Sequence, residues 1–137
     1  MFSALLAIAV LWPAPPPVDE ALSRKEHTGV FITLFETSLF EPCDSNERWW
    51  LEARDGVNEQ FWERVEELRA EREQQTGEPL NLASPPMYLT AKGDVSALGE
   101  HGHMGLYDRR FNLKKFSEFR LATNAERIQC LTSGFFE

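Results

Sequence analysis

His101, His103 and Met104 fall together in the glycine-rich segment Gly99-Glu100-His101-Gly102-His103-Met104-Gly105. Two imidazoles and a thioether at that spacing can meet on a soft metal ion, with copper or zinc as the matching choice. The glycines would let such a loop fold tightly, and they serve a plain strand-connecting loop equally well. A second chemistry lies in Tyr107-Asp108-Arg109-Arg110, where neighbouring guanidinium groups offer paired donors for a carboxylate or phosphate, or end a strand in solvent. A third lies in Trp49-Trp50. Consecutive strand residues point to opposite faces, so Trp50 either stacks on a sugar, an aromatic or a base, or packs under a neighbouring segment. The chain carries no phosphate-cradling glycine loop, no Gly-x-Ser-x-Gly turn and no His-Glu-x-x-His helix. The expectation is binding without catalysis.

These residues need elements to position them. Val30, Ile32 and Leu34 alternate with Phe31, Thr33 and Phe35, which predicts a strand covered on both faces. Glu36-Thr37-Ser38 interrupts it as a turn or a bulge. Leu39-Phe40 resumes a strand that Pro42 and the cluster Cys43-Asp44-Ser45-Asn46 stop. A third strand puts Trp49, Leu51 and Ala53 on one face and Trp50, Glu52 and Arg54 on the other. Asn58 is the expected N-cap of a helix whose stripe is Phe61, Val65, Leu68 and Arg72, with Trp62 beside it. Thr76-Gly77 and Pro79 end that helix, and its narrow stripe suits the cap of a barrel.

Met87, Leu89, Ala91, Gly93 and Val95 then alternate with Tyr88, Thr90, Lys92 and Asp94, a half-buried strand. Phe111 and Leu113 share a parity that Phe116 breaks and Phe119 and Leu121 restore. A bulge near Lys114-Lys115 reconciles them, a helix at Phe116 and Phe119 being the alternative. The expected fold is mainly β, a five-stranded β-barrel with one α-helix in the order β-β-β-α-β-β, which is that of an OB-like barrel. Such barrels bind across strands 2 and 3 and the loops joining strands 1–2 and 4–5. Here those places are Trp50, the Glu36-Thr37-Ser38 turn and the loop at residues 101–105.

Composition sets the surroundings. The 137 residues are 42% hydrophobic with ten Phe and four Trp, enough for one substantial core. The net charge of −8 argues against a phosphate backbone as partner. Phe2 to Trp12 is an apolar run too short to span a bilayer, which needs about 20 residues, and of the length of a signal-peptide core. Residues 1–17 are thus expected to be a signal-peptide-like leader and 18–27 a flexible lead-in. The barrel is expected at 28–122, and 123–137 as a C-terminal tail. Cys43 and Cys130, two in an exported domain, read as a disulfide tying that tail back; two buried thiols or distant metal ligands stay open. Chain entropy over roughly ninety residues makes such a bridge worth about 4–5 kcal/mol at best.

The segments Phe35-Glu36-Thr37-Ser38-Leu39-Phe40-Glu41-Pro42-Cys43, Trp49-Trp50 and His101-Gly102-His103-Met104-Gly105 resemble poorly characterised exported bacterial OB-type domains. They are similar to the OB domain of copper-resistance and envelope-stress lipoproteins. The resemblance covers residues 29–121 and implies an envelope barrel with a binding or sensing role. The chain departs from those lipoproteins in lacking a lipid-attachment cysteine and an N-terminal domain with a Cys-x-x-Cys pair. The reading is a periplasmic or secreted binding module whose partner is an envelope protein or a small ligand, without nucleic acid and without a membrane span once mature. Its alternative is a copper- or zinc-binding protein using His101, His103 and Met104. Trp50, Tyr107, Arg109 and Arg110 are the candidate binding residues.

Overall fold

The computed structural model describes residues 17–34, 37–79 and 83–131. The expected leader up to residue 16, Phe35 and Glu36 of the expected turn, and the tail from Thr132 lie outside them. Among the described residues five strands are formed: β1 (His27–Leu34), β2 (Thr37–Pro42), β3 (Trp49–Ala53), β4 (Met87–Val95) and β5 (Arg109–Leu121). They close into a barrel in the order β1-β2-β3-β5-β4, with β4 pairing back onto β1. Only the β3–β5 pair is parallel. The fold is mainly β and OB-like, as the element order predicts. The break after Leu34 separates two antiparallel strands, Leu34 pairing with Thr37, so β1 and β2 are a hairpin.

Local sequence explains most of these strands. Along β4 the residues from Met87 to Val95 alternate buried and half-buried without exception. Gly93 lets the β5 backbone come close, since a Cβ there would collide with the carbonyl of Asn112. In β5 the register slips twice against β4, passing over Ser117 and Lys114. These two bulges bring Phe111, Leu113, Phe116, Phe119 and Leu121 to the same side, and the Lys114 bulge is where parity requires one. On β1 Phe31 enters the barrel, while Val30 and Ile32 are buried outside it against Cys130.

The long helix α2 (Asn58–Thr76) closes one end of the barrel. Phe61, Val65 and Leu68 are its buried residues, and the Phe61 ring stacks on Phe119 at 5.0 Å and meets Phe31 edge-on at 5.3 Å. Asn58 is not its cap. The position falls to Val57, and the N–H groups of Val57 and Asn58 both bond to the Arg54 carbonyl, so a backbone turn starts the helix. Gly77, at φ 70°, ends it.

Two short helices were not expected. The lead-in is a packed strap: Val18 bridges to Ser96, the Asp19 N–H bonds to the Val95 carbonyl at 2.7 Å, and α1 (Glu20–Ser23) turns Leu22 onto the core. Its polar, charged composition concealed three anchors whose partners lie far along the chain. The tail contains α3 (Asn124–Cys130), started by a capping box between Thr123 and Glu126. Cys130 is bonded to Cys43, 87 positions away, so the disulfide is formed and α3 lies on β1. Among the described residues no helix is long and apolar enough to cross a membrane.

Candidate functional site

The β4–β5 loop folds back on itself. His101 and Tyr107 exchange backbone hydrogen bonds at 2.9 and 3.1 Å, with a single 3-10 turn (His103–Gly105) between them. The His101 imidazole is directed into the loop, its Nε2 lying 3.2 Å from both the Ser96 hydroxyl and the Ala97 carbonyl. His103 is exposed, and Met104, at φ 58°, is 79% exposed. Cys43 is taken by the disulfide. Among the described residues no three His, Cys, Asp or Glu side chains gather in a metal-holding group. His101 acts here as a brace.

Trp50 and Tyr107 are brought together. Their rings meet edge-on at 5.0 Å, and Gly102 fits against both. A Cβ on Gly102 would stand 2.7 Å from the Trp50 ring and 2.8 Å from that of Tyr107. Trp50 donates from Nε1 to Glu52 Oε1 at 3.1 Å. Tyr107 is buried, and burial pushes its phenol pKa up. The pair clamps the loop.

Arg109 and Arg110 are separated by the strand they share. Arg109 is buried and donates to Glu47 from Nε (2.7 Å), and from Nη1 to Asp19 (3.2 Å) and to the Ser96 carbonyl (2.9 Å). Burial works against its charge, but the hydrogen bonds and charges of Glu47 and Asp19 outweigh it and hold its pKa above the ordinary value. Asp19 is held below the carboxylate range, first by the Leu22 N–H and then by Arg109. Burial disfavours the Glu47 charge, yet Arg109 and Trp49 hydrogen bonds hold its pKa down as well. Arg109 therefore already holds carboxylates, both of them from this chain.

Arg110 points to the outer face of the sheet. The parallel β3–β5 register sets Trp50 beside Arg110 and Glu52 beside Asn112, and the β4–β5 register adds Asp94 beside Asn112. On this face lies a cavity of about 200 Å³ lined by Val18, Glu52, Arg54, Asp94, Ser96, Arg110 and Asn112. Its charges are largely paired on the face itself. Arg54 reaches Glu52 at 2.7 Å, and Lys114 reaches Asp94 at 3.0 Å. Arg110 Nε stands 3.7 Å from Glu52 Oε1, too far for a hydrogen bond. Three buried side-chain polar atoms have no hydrogen-bond partner among the described residues: Arg72 Nε on α2, and Arg110 Nε and Asn112 Oδ1. The last two belong to residues that line this cavity, but the atoms themselves are buried beneath its surface.

Of the sequence candidates, Arg110 lies in the cavity and Trp50 beside it, whereas Tyr107, Arg109 and His101 hold the loop and strap in place. Asn112, Glu52, Asp94 and Val18 were missed. The polar outward parity of both strands was readable, but the β3–β5 pairing that joins Glu52 to Asn112 is not a local property. No family model, no curated protein and no solved structure matches the chain.

Proposed function

We propose that this chain is a non-catalytic binding module that works in an oxidising compartment, periplasmic or secreted, and takes a small uncharged polar ligand on the outer face of β3, β5 and β4. The observation that carries the reading is the cavity of about 200 Å³ on that face, lined by the polar side chains of Arg110, Asn112 and Ser96 beside the ion-paired Glu52 and Asp94. A charged ligand would have to displace the Arg54–Glu52 or Lys114–Asp94 pair, which an uncharged one leaves in place. The compartment rests on Cys43–Cys130, a bond that persists where thiols are not kept reduced. The net charge of −8 supports a partner other than nucleic acid.

The test is nuclear magnetic resonance of the full, oxidised, nitrogen-15-labelled chain with a panel of neutral sugars, amides and polyols. Saturable shifts confined to the residues around Arg110 and Asn112 are expected for at least one class. A panel that leaves all of these resonances in place overturns the reading.

A further inference from the structure

We infer that the loop joining β4 to β5 is a membrane-contact surface, which rests on the polar–apolar boundary of a neutral lipid bilayer. Six large apolar side chains are exposed among the described residues. Three of them, Leu98 (64%), Met104 (79%) and Leu106 (43%), belong to this one loop. The backbone bonds between His101 and Tyr107 fold it back on itself, so the three are confined to one end of the barrel.

The loop keeps these side chains out of the core while being firmly held itself. His101 braces it through Ser96 and Ala97, and Gly102 is seated against the Trp50 and Tyr107 rings. Met104, at φ 58°, is the one non-glycine residue with positive φ among the described residues. That region is disfavoured for a residue with a side chain, and no burial repays it, since Met104 is left almost bare. Backbone strain of this kind gathers at functional segments. A loop that is already ordered also loses little conformational freedom when it docks.

The occupant follows from the chain that meets this end. The Pro17 carbonyl accepts from the Ala97 N–H, Val18 bridges antiparallel to Ser96 and the Asp19 N–H bonds to Val95, so the chain before Pro17 comes from the side of Leu98. Phe2 to Trp12, the apolar run, precedes it. Trp12 stands five positions before Pro17, which covalent geometry keeps within about 18 Å. A run of this length suits an interfacial segment as well as a signal-peptide core. Three side chains on a loop cannot cover it, whereas a bilayer takes run and loop together. A protein partner would instead engage about 20–30 residues on this side. Residues 98–106 hold Glu100 and no Lys or Arg, and the net charge is −8, so the lipid is neutral rather than anionic.

The full oxidised chain is sedimented with phosphatidylcholine vesicles and is expected to go down with them. In bicelles of the same lipid carrying a nitroxide, the amides of Leu98, Met104 and Leu106 should broaden and that of Ile128 should not. A triple variant, Leu98→Ser with Met104→Asn and Leu106→Ser, should bind about tenfold more weakly, with the His101 and Tyr107 amides still protected from exchange; Asn is tolerated at positive φ. Ile128→Ser removes an equally exposed side chain (80%) from α3 and should leave binding unchanged. Adding phosphatidylglycerol should not tighten it. A chain that stays in the supernatant, binding untouched by the triple variant, or binding that appears only with phosphatidylglycerol overturns the inference. So do contacts of Leu98 and Leu106 with residues 2–12 in the absence of lipid, which make the chain's own run the occupant. Self-association lost in the triple variant makes the occupant a second copy and overturns it too. The ligand face of β3, β5 and β4 stands or falls separately.

Discussion

Arg109 and Glu47 meet fork to fork, Nε donating to Oε1 at 2.7 Å and Nη2 to Oε2 at 3.3 Å. The same guanidinium holds Asp19 and the Ser96 carbonyl, so one side chain fastens the N-terminal strap and the turn before β3 to the end of β4. Arg109→Met would leave two carboxylates without their cation. Both are partly exposed and regain some hydration, so the expected loss is about 2–3 kcal/mol, below the range for a fully buried pair. Arg109→Lys should recover only part of it, because an ammonium group cannot reproduce the fork. Urea unfolding of the three proteins measures this, and equal midpoints would show that the strap is held by other contacts.

Acid should weaken the fold through a small set of carboxylates. Arg120 donates to both oxygens of Glu126, at 2.8 and 2.6 Å, and holds its pKa down to about 2 from 4.5. Asp19 and Glu47 are lowered as well. A carboxyl whose pKa is lower folded than unfolded gives stability that is fully present above the unfolded value and lost as pH falls through the folded one. Unfolding free energy is therefore expected to drop from about pH 4.5 toward pH 2. Glu126→Gln should be about 1 kcal/mol less stable at neutral pH and show a shallower acid decline. A free energy unchanged across that window contradicts the assignment.

The contrast between β4 and β5 explains how much was legible. Met87 to Val95 reads correctly residue by residue because burial on one face is written in its alternation. Phe61, Val65 and Leu68 do the same for α2. Adjacent Arg109 and Arg110 looked like a paired cation site, yet a strand sends neighbours to opposite faces, one to a buried ion pair and one to the cavity. The strap was hidden for a different reason. Val18, Asp19 and Leu22 gain their roles from Ser96, Arg109 and the barrel core, and local composition says nothing of such partners. The same distance separates Glu52 from Asn112, so the cavity became visible only once β3 and β5 were seen side by side.

Gly102 tests whether the loop is clamped. Its φ of 68° and ψ of −158° lie in a region that essentially only glycine occupies, and a Cβ would strike the Trp50 and Tyr107 rings. Gly102→Ala is expected to cost about 2–3 kcal/mol and to shift Trp50 fluorescence as its ring is displaced. Faster hydrogen exchange at the His101 and Tyr107 amides should accompany it. A variant as stable as the parent, with those amides still protected, would mean the loop relaxes freely around the rings.

The disulfide should matter more than any single contact of the tail. Cys130 ends α3 and packs with Val30 and Ile32 on the outer face of β1, while Cys43 follows β2 directly. The bond therefore closes a loop that contains most of the barrel, and releasing it frees the unfolded chain. Cys43→Ser with Cys130→Ser is expected to lose about 4 kcal/mol and to melt about 15 °C lower, as should the parent in reductant. Two effects are separable here. If the loss comes from the unfolded state, Ile32 stays protected from exchange in the reduced native protein and only the midpoint moves. If α3 detaches, Val30 and Ile32 lose their cover and exchange quickly well below the midpoint. Hydrogen exchange on oxidised and reduced protein distinguishes them, and a reductant that changes neither midpoint nor exchange would show that the bond has no part in holding the fold.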